Sequence, residues 1–502
     1  MAAQAKLRPS DREFFALIAE TAFCNPFSER RPQLDSQILG RAVAPYSEAH
    51  LAELTGIVSQ RIAKLEADGI ADVRRFSSAE RELMQTVFLF EVFHLFCLEF
   101  DQLIVEQKKT GATSLPVKFA SAALNKMRQR GIGAEEAARF FSIFYQLRRA
   151  YHFIVRRLIG QSVSMQEFRR RLWNNVFTQN VQWYERHFWN RMEDFSTLLL
   201  GETGTGKGAA AAAIGRSGFI PYDAKQGRFR ESFMRSFTAL NLSQFPEALI
   251  ESELFGHRKG AFTGAMEAHQ GVFARCSPHG AIFLDEIGEV GVPLQIKLLQ
   301  VLQERTFRPV GSHDSVRFEG RVIAATNRDI ERLRSRGTFR DDFYYRLSSD
   351  VIHVPPLRQR LQEDSSELRQ LLEHTVGRMV GAAAGELTDM IAATLRKSPG
   401  LDYAWPGNVR ELEQAVRQIL ITGSYAGSTA PKPKDLVEHL VTGIETETLD
   451  ADALLAGYCA VLYESTESYE AVARQTNLDR RTAKKYVQQG LAAKPSTVPL
   501  QN

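Results

Sequence analysis

Apolar residues in the first third of the chain fall three and four apart, in "FFALIAETAF" (14–23) and through "VFLFEVFHLFCLEF" (87–100), which places them along one helix face. "SDRE" and "SSAE" precede such runs and read as capping boxes, with Ser10 and Ser77 as caps and Glu13 and Glu80 three residues on. Few strand or hairpin signals interrupt the pattern, so residues 1–155 are predicted to form an α-helical regulatory or sensor domain. The run at 87–100 is shorter than the roughly 20 residues of a spanning helix and contains Glu91, His94 and Glu99. A buried helix is expected, and no membrane contact.

The pattern changes near residue 156. Short apolar runs, each ending in glycine or polar turns and followed by a helical stretch, recur as "STLLLGETGTGKG" (196–208), "SFTALNLS" (236–243), "GAIFLDEIGE" (280–289) and "GRVIAATNRD" (320–329). This alternation predicts an α/β subdomain over 156–352 with a parallel sheet and crossover helices. Residues 353–425 read as helical again, as a lid would. "SYAGSTAPKPK" begins a stretch, 426–450 in its main part, where glycine and proline disfavour regular structure and a linker is expected. A small module, 451–502, closes a multidomain chain.

Composition narrows the class. The 502 residues are 44% apolar and 24% charged, ordinary for a folded protein. A net charge of +4 makes any nucleic-acid surface local. Cys24, Cys97, Cys276 and Cys459 lie far apart with no metal-type pairing and read as reduced thiols. The N-terminus lacks the apolar core of a signal peptide, so a cytoplasmic location is expected.

Chemistry enters with Gly201, Glu202, Thr203, Gly204, Thr205, Gly206, Lys207 and Gly208, directly after an apolar strand. Such glycines let backbone N–H groups turn toward an anion, the following helix offers its positive end, and Lys207 reaches the terminal phosphates. Gly208 stands where a Ser or Thr hydroxyl usually meets magnesium. Further on, "GAIFLDEIGE" ends a buried strand in Asp285 and Glu286, which at the carboxyl edge of a parallel sheet face the same crevice. Asp285 suits Mg2+ and Glu286 the polarisation of an attacking water, with ATP as cofactor. Thr326, Asn327 and Arg328 end another strand and suit sensing of a γ-phosphate.

With these elements in order, residues 158–419 resemble the AAA+ domain of sigma-54-dependent transcription activators, the bacterial enhancer-binding proteins. "ESELFGHRKGAFTGA" (251–265) is the most specific part of the resemblance. It implies that Gly260, Ala261, Phe262, Thr263, Gly264 and Ala265 contact sigma-54 RNA polymerase holoenzyme, with Phe262 and Thr263 at the tip. A loop otherwise so poor in bulk offers that ring little burial among its own neighbours. The resemblance further implies that Asn241 is a switch asparagine holding Glu286. Arg340 and Arg346 become fingers reaching a neighbour's site, Arg410 a lid arginine sensing nucleotide, and "FRPVGS" (307–312) a second loop moving with the first. Fingers supplied in trans imply self-association from dimer to hexameric ring.

Two departures accompany the resemblance. Gly208 replaces the family's common glutamate, and the stretches at about 174–194 and 216–236 are longer than usual. These additions suit contacts to the front domain or a neighbour equally with inert surface.

"SYEAVARQTNLDRRTAKKYVQQGL" (468–491) reads as helix, turn and helix. Between 470 and 489, Arg474, Arg480, Arg481, Lys484 and Lys485 against Glu470 and Asp479 leave +3. The second helix is expected in the major groove of double-stranded enhancer DNA, with Arg480, Arg481, Thr482, Lys484 and Lys485 as contacts. The resemblance implies a Fis-type module of this kind, and Asn477 suits its turn because asparagine tolerates left-handed angles. The expected function is an ATPase that remodels the sigma-54 polymerase at enhancer-controlled promoters. Two rivals predict different sequences: a DNA-binding AAA+ regulator uncoupled from sigma-54 would have a damaged loop, and a metabolic kinase would lack finger arginines.

Overall fold

The computed structural model describes residues 5–43, 48–381, 384–400, 402–427, 436–445 and 448–492. The chain forms two compact units, residues 1–425 and 426–502. The first opens with α1 (Pro9–Phe23), α2 (Arg30–Leu39), α3 (Glu48–Ala67), α4 (Ser78–Leu95), α5 (Cys97–Thr110), α6 (Ala120–Gln129), α7 (Ala134–Arg157), α8 (Val163–Phe177) and a short α9 (Val181–Trp183). Ser77 caps α4, accepting from the Glu80 N–H at 3.4 Å, but the Glu80 carboxylate pairs with Arg12 of α1 instead of returning to the cap. Ser10 is not a cap. α1 starts at Pro9, whose fixed φ and missing N–H suit a first helical position, and so places Ser10 inside the first turn.

The apolar run at 87–100 is two helices instead of one, because Phe96 leaves helical angles and turns α5 by 53° from α4. Glu91 within it is buried and pairs with the buried Arg130 at 2.9 Å, an arrangement a protein interior supplies. Among the described residues no single helix is long and apolar enough to cross a membrane.

Five strands build the central sheet: β1 (Thr197–Leu200), β4 (Phe237–Asn241), β5 (Ala281–Asp285), β8 (Arg321–Thr326) and β9 (Asp350–His353), in spatial order β4-β5-β8-β1-β9 and all parallel. Two small hairpins, β2 (Tyr222–Asp223) with β3 (Arg228–Phe229) and β6 (Thr306–Phe307) with β7 (Val316–Arg317), stand outside it. The crossovers are α10 (Lys207–Gly215), α11 (Glu247–Phe255), α12 (Val272–Arg275), α13 (Val292–Glu304), α14 (Ile330–Ser335) and α15 (Asp341–Leu347). A helical lid follows: α16 (Leu357–Glu363), α17 (Ser366–Val380), α18 (Ala384–Lys397) and α19 (Asn408–Thr422).

Alternation along the strands divides the core. Leu198, Ile282, Leu284, Val322 and Ala324 face the cluster that includes α11 and α13, whereas Leu199, Phe283, Ile323 and Ile352 face α10 and share one core with Phe141, Phe144, Phe153 and Phe177 of the front helices. The helical front region and the sheet are therefore packed through a common interior.

The two long stretches make that junction. In the 216–236 stretch, the β2–β3 hairpin lays Phe229 on Tyr145 of α7, with ring centroids 4.0 Å apart and 18° between planes. Its backbone is held by Ser114 Oγ donating to Phe229 O at 2.7 Å and the Val117 N–H donating to Gly227 O at 2.9 Å. In the 174–194 stretch, the Tyr184 hydroxyl donates to Gln146 at 2.8 Å, and Gln146 in turn donates to Ser217 O at 2.9 Å. Between them Arg149, fully buried, donates to Arg216 O and Gly218 O, both at 2.7 Å. Burial lowers its pKa to about 10, so it remains a cation at neutral pH, placed at the negative end of α10.

In the second unit, α20 (Leu436–Glu445) forms within the stretch expected to be an irregular linker; its apolar residues at 436, 437, 440, 441 and 444 keep helical spacing once past the prolines. It precedes α21 (Ala451–Thr466), α22 (Tyr469–Thr476) and α23 (Arg480–Ala492). Asn477 takes φ 56° in the turn between α22 and α23, and Val472, Ala483 and Val487 are buried. A Cβ on Gly490 would lie 2.2 Å from Ala456 O, which explains why α23 crosses α21 at a glycine.

Replacing Arg149 with Met strands two buried carbonyls. The variant is expected to lose roughly 2–4 kcal/mol of stability, seen as a lower urea midpoint for the first unit by far-UV circular dichroism. An unchanged midpoint would show that the clamp on α10 is not structural.

Candidate phosphate-binding site

Parallel strands bring their carboxyl ends to one edge, and every sequence-predicted group on a strand end meets there. β1 runs into the loop 201–206, β4 ends at Asn241, β5 at Asp285, and β8 at Thr326 before Asn327. Registry pairs Asn241 with Asp285 and Leu200 with Thr326. Gly204 and Gly206 have φ 80° and 106°, angles that L side chains resist. α10 begins at Lys207, so its unpaired N–H groups point into the loop.

Lys207 is only 7% exposed and donates to Gly201 O at 2.7 Å and Glu202 O at 3.1 Å. Burial lowers its pKa, and the carboxylates of Glu286 and Asp285 oppose that shift, which places all three in one electrostatic neighbourhood. The Asp285 pKa is raised by burial, partly offset by the hydrogen bond from the Glu286 N–H (3.1 Å) and by Lys207 and Arg410. Glu286 takes φ 58°, and its Oε2 is buried with no hydrogen-bond partner. A buried acceptor left over at a strand end suits a water or ligand proton.

The lid docks directly on the loop. Glu202 receives two hydrogen bonds from Arg358 of α16, at 2.8 and 2.5 Å, and one from Asn408 of α19 at 3.1 Å. Asn408 also donates to Thr203 O at 3.1 Å and accepts from the Leu357 N–H at 2.7 Å. A Cβ on Gly204 would sit 2.1 Å from Gly407 O, so the second glycine is required by the lid as well as by its φ. Arg358 and Asn408 were missed in sequence; "VPPLRQR" and "PGNV" offered only a helix start. Asn327 donates to the Thr203 hydroxyl at 2.8 Å, tying the end of β8 to the loop. The Thr205 hydroxyl donates to Glu202 O at 2.9 Å and braces the loop from within.

Other expected residues are placed differently. Asn241 accepts from the Ser243 N–H (3.0 Å) and hydroxyl (2.7 Å) and caps the turn after β4; it makes no hydrogen bond to Glu286. Arg340 pairs with Asp342 at 2.7 Å and Arg346 donates to Leu302 O at 2.9 Å, both on α15 or its cap and without a hydrogen bond to the phosphate loop. Arg410 is exposed, beside Gly204. Gly208 faces open space, with only Phe283 at 3.9 Å from an added Cβ. Among the described residues no cluster of three or more His, Cys, Asp or Glu could hold a metal, so Asp285 and Glu286 would need phosphate oxygens to complete an Mg2+ shell.

The loop with Phe262 rises from the end of α11. His257 bridges to His269 across its neck, Gly260 N–H donates to Ala265 O at 2.8 Å, and the second loop docks through Arg258 N–H to Val310 O at 3.1 Å. Ala265 is buried, whereas Thr263 and Gly264 are exposed. Phe262 is 39% exposed and rests its edge on the His257 ring, centroids 4.9 Å apart. The loop thus supplies one neighbour for the ring that its small residues could not. In the second unit, Arg480 pairs with Glu470 at 2.9 Å and the Thr482 hydroxyl donates to Asp479, the cap of α23. Arg481, Lys484 and Lys485 are exposed and make no ion pair, the latter two lying 5.7 Å from the rings of Tyr469 and Tyr486.

Residues 174–353 match the family model described as the sigma-54 interaction domain. The chain is 42% identical over 253 residues to the Nif-specific regulatory protein of Azotobacter vinelandii, covering 50% of this chain and 44% of that protein. It is 38% identical over 231 residues to the regulatory protein AtoC of Escherichia coli (strain K12), covering 46% of each. Over 307 residues it is 35% identical to the transcriptional regulatory protein ZraR of Klebsiella oxytoca, 58% of this chain and 62% of that one. The chain spans about half the length of the curated relatives it matches. Its centre is a sigma-54 interaction domain on an α/β AAA+ core.

Because burial raises the pKa of Asp285, the folded chain holds that proton more tightly than the unfolded one. Stability tied to the protonated form is therefore lost as pH rises through the folded value. Without nucleotide, Asp285→Asn is expected to melt higher than the native chain at neutral pH and to lose that advantage below the ordinary carboxylate range. Differential scanning calorimetry across pH checks this, and a lower melting temperature for the variant at neutral pH would refute the cause.

Proposed function

We propose, on the premise of a central sigma-54 interaction domain, that the chain is a sigma-54-dependent transcriptional regulator that binds enhancer DNA and hydrolyses ATP to remodel the polymerase–promoter complex. The observation that carries the reading is the intact "GAFTGA" at 260–265, exposed at its tip, on a loop reached by α11 from the end of β4, beside the Asp285–Glu286 strand.

The loop N–H groups and Lys207 hold the phosphates, and Glu286 accepts a proton from the attacking water through its unpartnered oxygen. Asp285 would hold Mg2+, which neutralises phosphate charge. Asn327 reads the γ-phosphate while braced on Thr203, and Arg410 meets the nucleotide from the lid of the same subunit. Arg340 and Arg346 serve a neighbouring subunit's site, so turnover requires the ring. Asn241 couples the cycle to the loop: it lies in register with Asp285 and caps the turn that leads into α11, so a change of its partner from Ser243 to Glu286 would move that helix. On the second unit, Arg481, Lys484 and Lys485 meet DNA, with Thr482 and Arg480 ordering the start of α23.

ATP hydrolysis and open-complex formation on a sigma-54 promoter, followed with purified chain, test the reading. Glu286→Gln is expected to retain ATP binding and lose roughly 10²–10⁴-fold in turnover. Thr263→Ala is expected to hydrolyse ATP without opening the promoter. If the native chain consumes ATP but opens no such promoter, or Thr263→Ala opens it normally, the coupling to sigma-54 is wrong.

A further inference from the structure

The front helices enclose a cavity of about 410 Å³, walled by the end of α1, α2, the start of α3, α4, α7 and α8. Its size falls in the range of small-molecule sites, and no residue of the phosphate loop lines it. Native interiors leave few voids larger than a water molecule. Here the large rings of Phe93, Phe140, Phe144 and Trp173 surround one without filling it.

A single wall is unsatisfied. The His50 side chain is 7% exposed, and its Nε2 lies 3.1 Å from Asp35 Oδ2, while Asp35 is also paired with Arg31 at 3.0 Å. A carboxylate flanked by arginine accepts, so Nε2 is the N–H of the ring and Nδ1 of the neutral imidazole carries the lone pair. That Nδ1 is buried and has no hydrogen-bond partner. A buried acceptor of this kind calls for a donor. The lining's four arginines stand against four carboxylates, leaving no net charge for an ion. His94, on another wall, lies 2.9 Å from Phe90 O and is kept neutral by burial, its pKa lowered to about 3.

We propose that this cavity is a binding site for a small, uncharged aromatic molecule that donates one O–H or N–H hydrogen bond to Nδ1 of His50. Its position gives it leverage. α7 walls the cavity with Phe140 and Phe144, and through Gln146 and Arg149 grips the residues that follow α10. A ligand bracing α7 therefore acts on the helix that carries Lys207. This regulatory consequence rests on the ATPase reading above; the binding does not.

Equilibrium dialysis of the full chain against 2-naphthol, with naphthalene as the probe lacking a donor, tests the site. 2-Naphthol is expected to bind saturably, once per chain and roughly tenfold more tightly than naphthalene, as one buried hydrogen bond would give. His50→Leu should bring the two probes to equal affinity without abolishing binding, because Asp35 keeps Arg31. Ile143→Trp, which fills the cavity, should abolish both while leaving the circular dichroism spectrum native; if it does not fold, His50→Leu decides. No saturable binding to the native chain, equal affinities for its two probes, or unchanged binding by folded Ile143→Trp overturns the site. Binding with no change in ATP turnover overturns the coupling through α7 alone. A chain that never hydrolyses ATP still gives the dialysis result, so the two readings fail separately.

Discussion

One short helix is held at both ends by different parts of the molecule. The N-terminus of α10 opens the phosphate loop at Lys207, and the residues just past its C-terminus, Arg216 and Gly218, give their carbonyls to the buried guanidinium of Arg149. A cation at the negative end of a helix and an anion site at the positive end reinforce each other along one dipole. The cost of burying Arg149 is offset by two good hydrogen bonds and by the Tyr145 face 4.5 Å away. Once that clamp is formed, the front helices cannot move without the nucleotide helix feeling it, and the shared core of Phe141, Phe229 and Phe233 follows as packing around the clamp.

The other face of the loop is constrained just as closely. Gly204 abuts Gly407 O, the Val409 N–H donates to Gly204 O at 3.1 Å, and Glu202 is shared by Arg358 and Asn408. The lid thus reads the shape of the phosphate loop through backbone contacts, where a displacement of a few tenths of an ångström breaks a hydrogen bond. The phosphate loop lies between two levers, the lid on one side and α7 on the other. Only the latter connects to an aromatic cavity.

What was legible in the sequence follows from the range of the interactions. The loop 201–208, the Asp285–Glu286 pair and Asn327 were readable because each is a local string at a strand end, and a parallel sheet gathers such ends without further instruction. The turn at Asn477 was readable because its backbone angle selects the residue. Arg149, Arg358 and Asn408 act on groups 67 to 206 residues away, and nothing beside them in the chain announces a partner. Local competition explains smaller differences: Pro9 outranked Ser10 as a helix start, and the prolines at 431 and 433 drew attention from the helical spacing that begins at Leu436. Asn241 was named as a switch, and its bond to Ser243 shows one position that such a switch can hold.

Phe262 illustrates how strongly a moving part should be held. Its edge-on contact with His257 is the only ring contact it makes among the described residues, and an aromatic pair of this kind is worth about 0.5–1.5 kcal/mol. That is enough to stow a side chain in one place for most of the time, since RT is about 0.6 kcal/mol. It is far below the 3–5 kcal/mol lost on breaking a buried ion pair, the hold that Arg360 and Glu367 have in the lid at 2.8 Å. A loop fastened as firmly as the lid would resist being lifted, and a loop with no contact would spend its motion on disorder. The weak ring contact, with glycines at φ 80° and 101° on either side, lets the tip leave His257 at small cost while the neck between His257 and His269 stays closed.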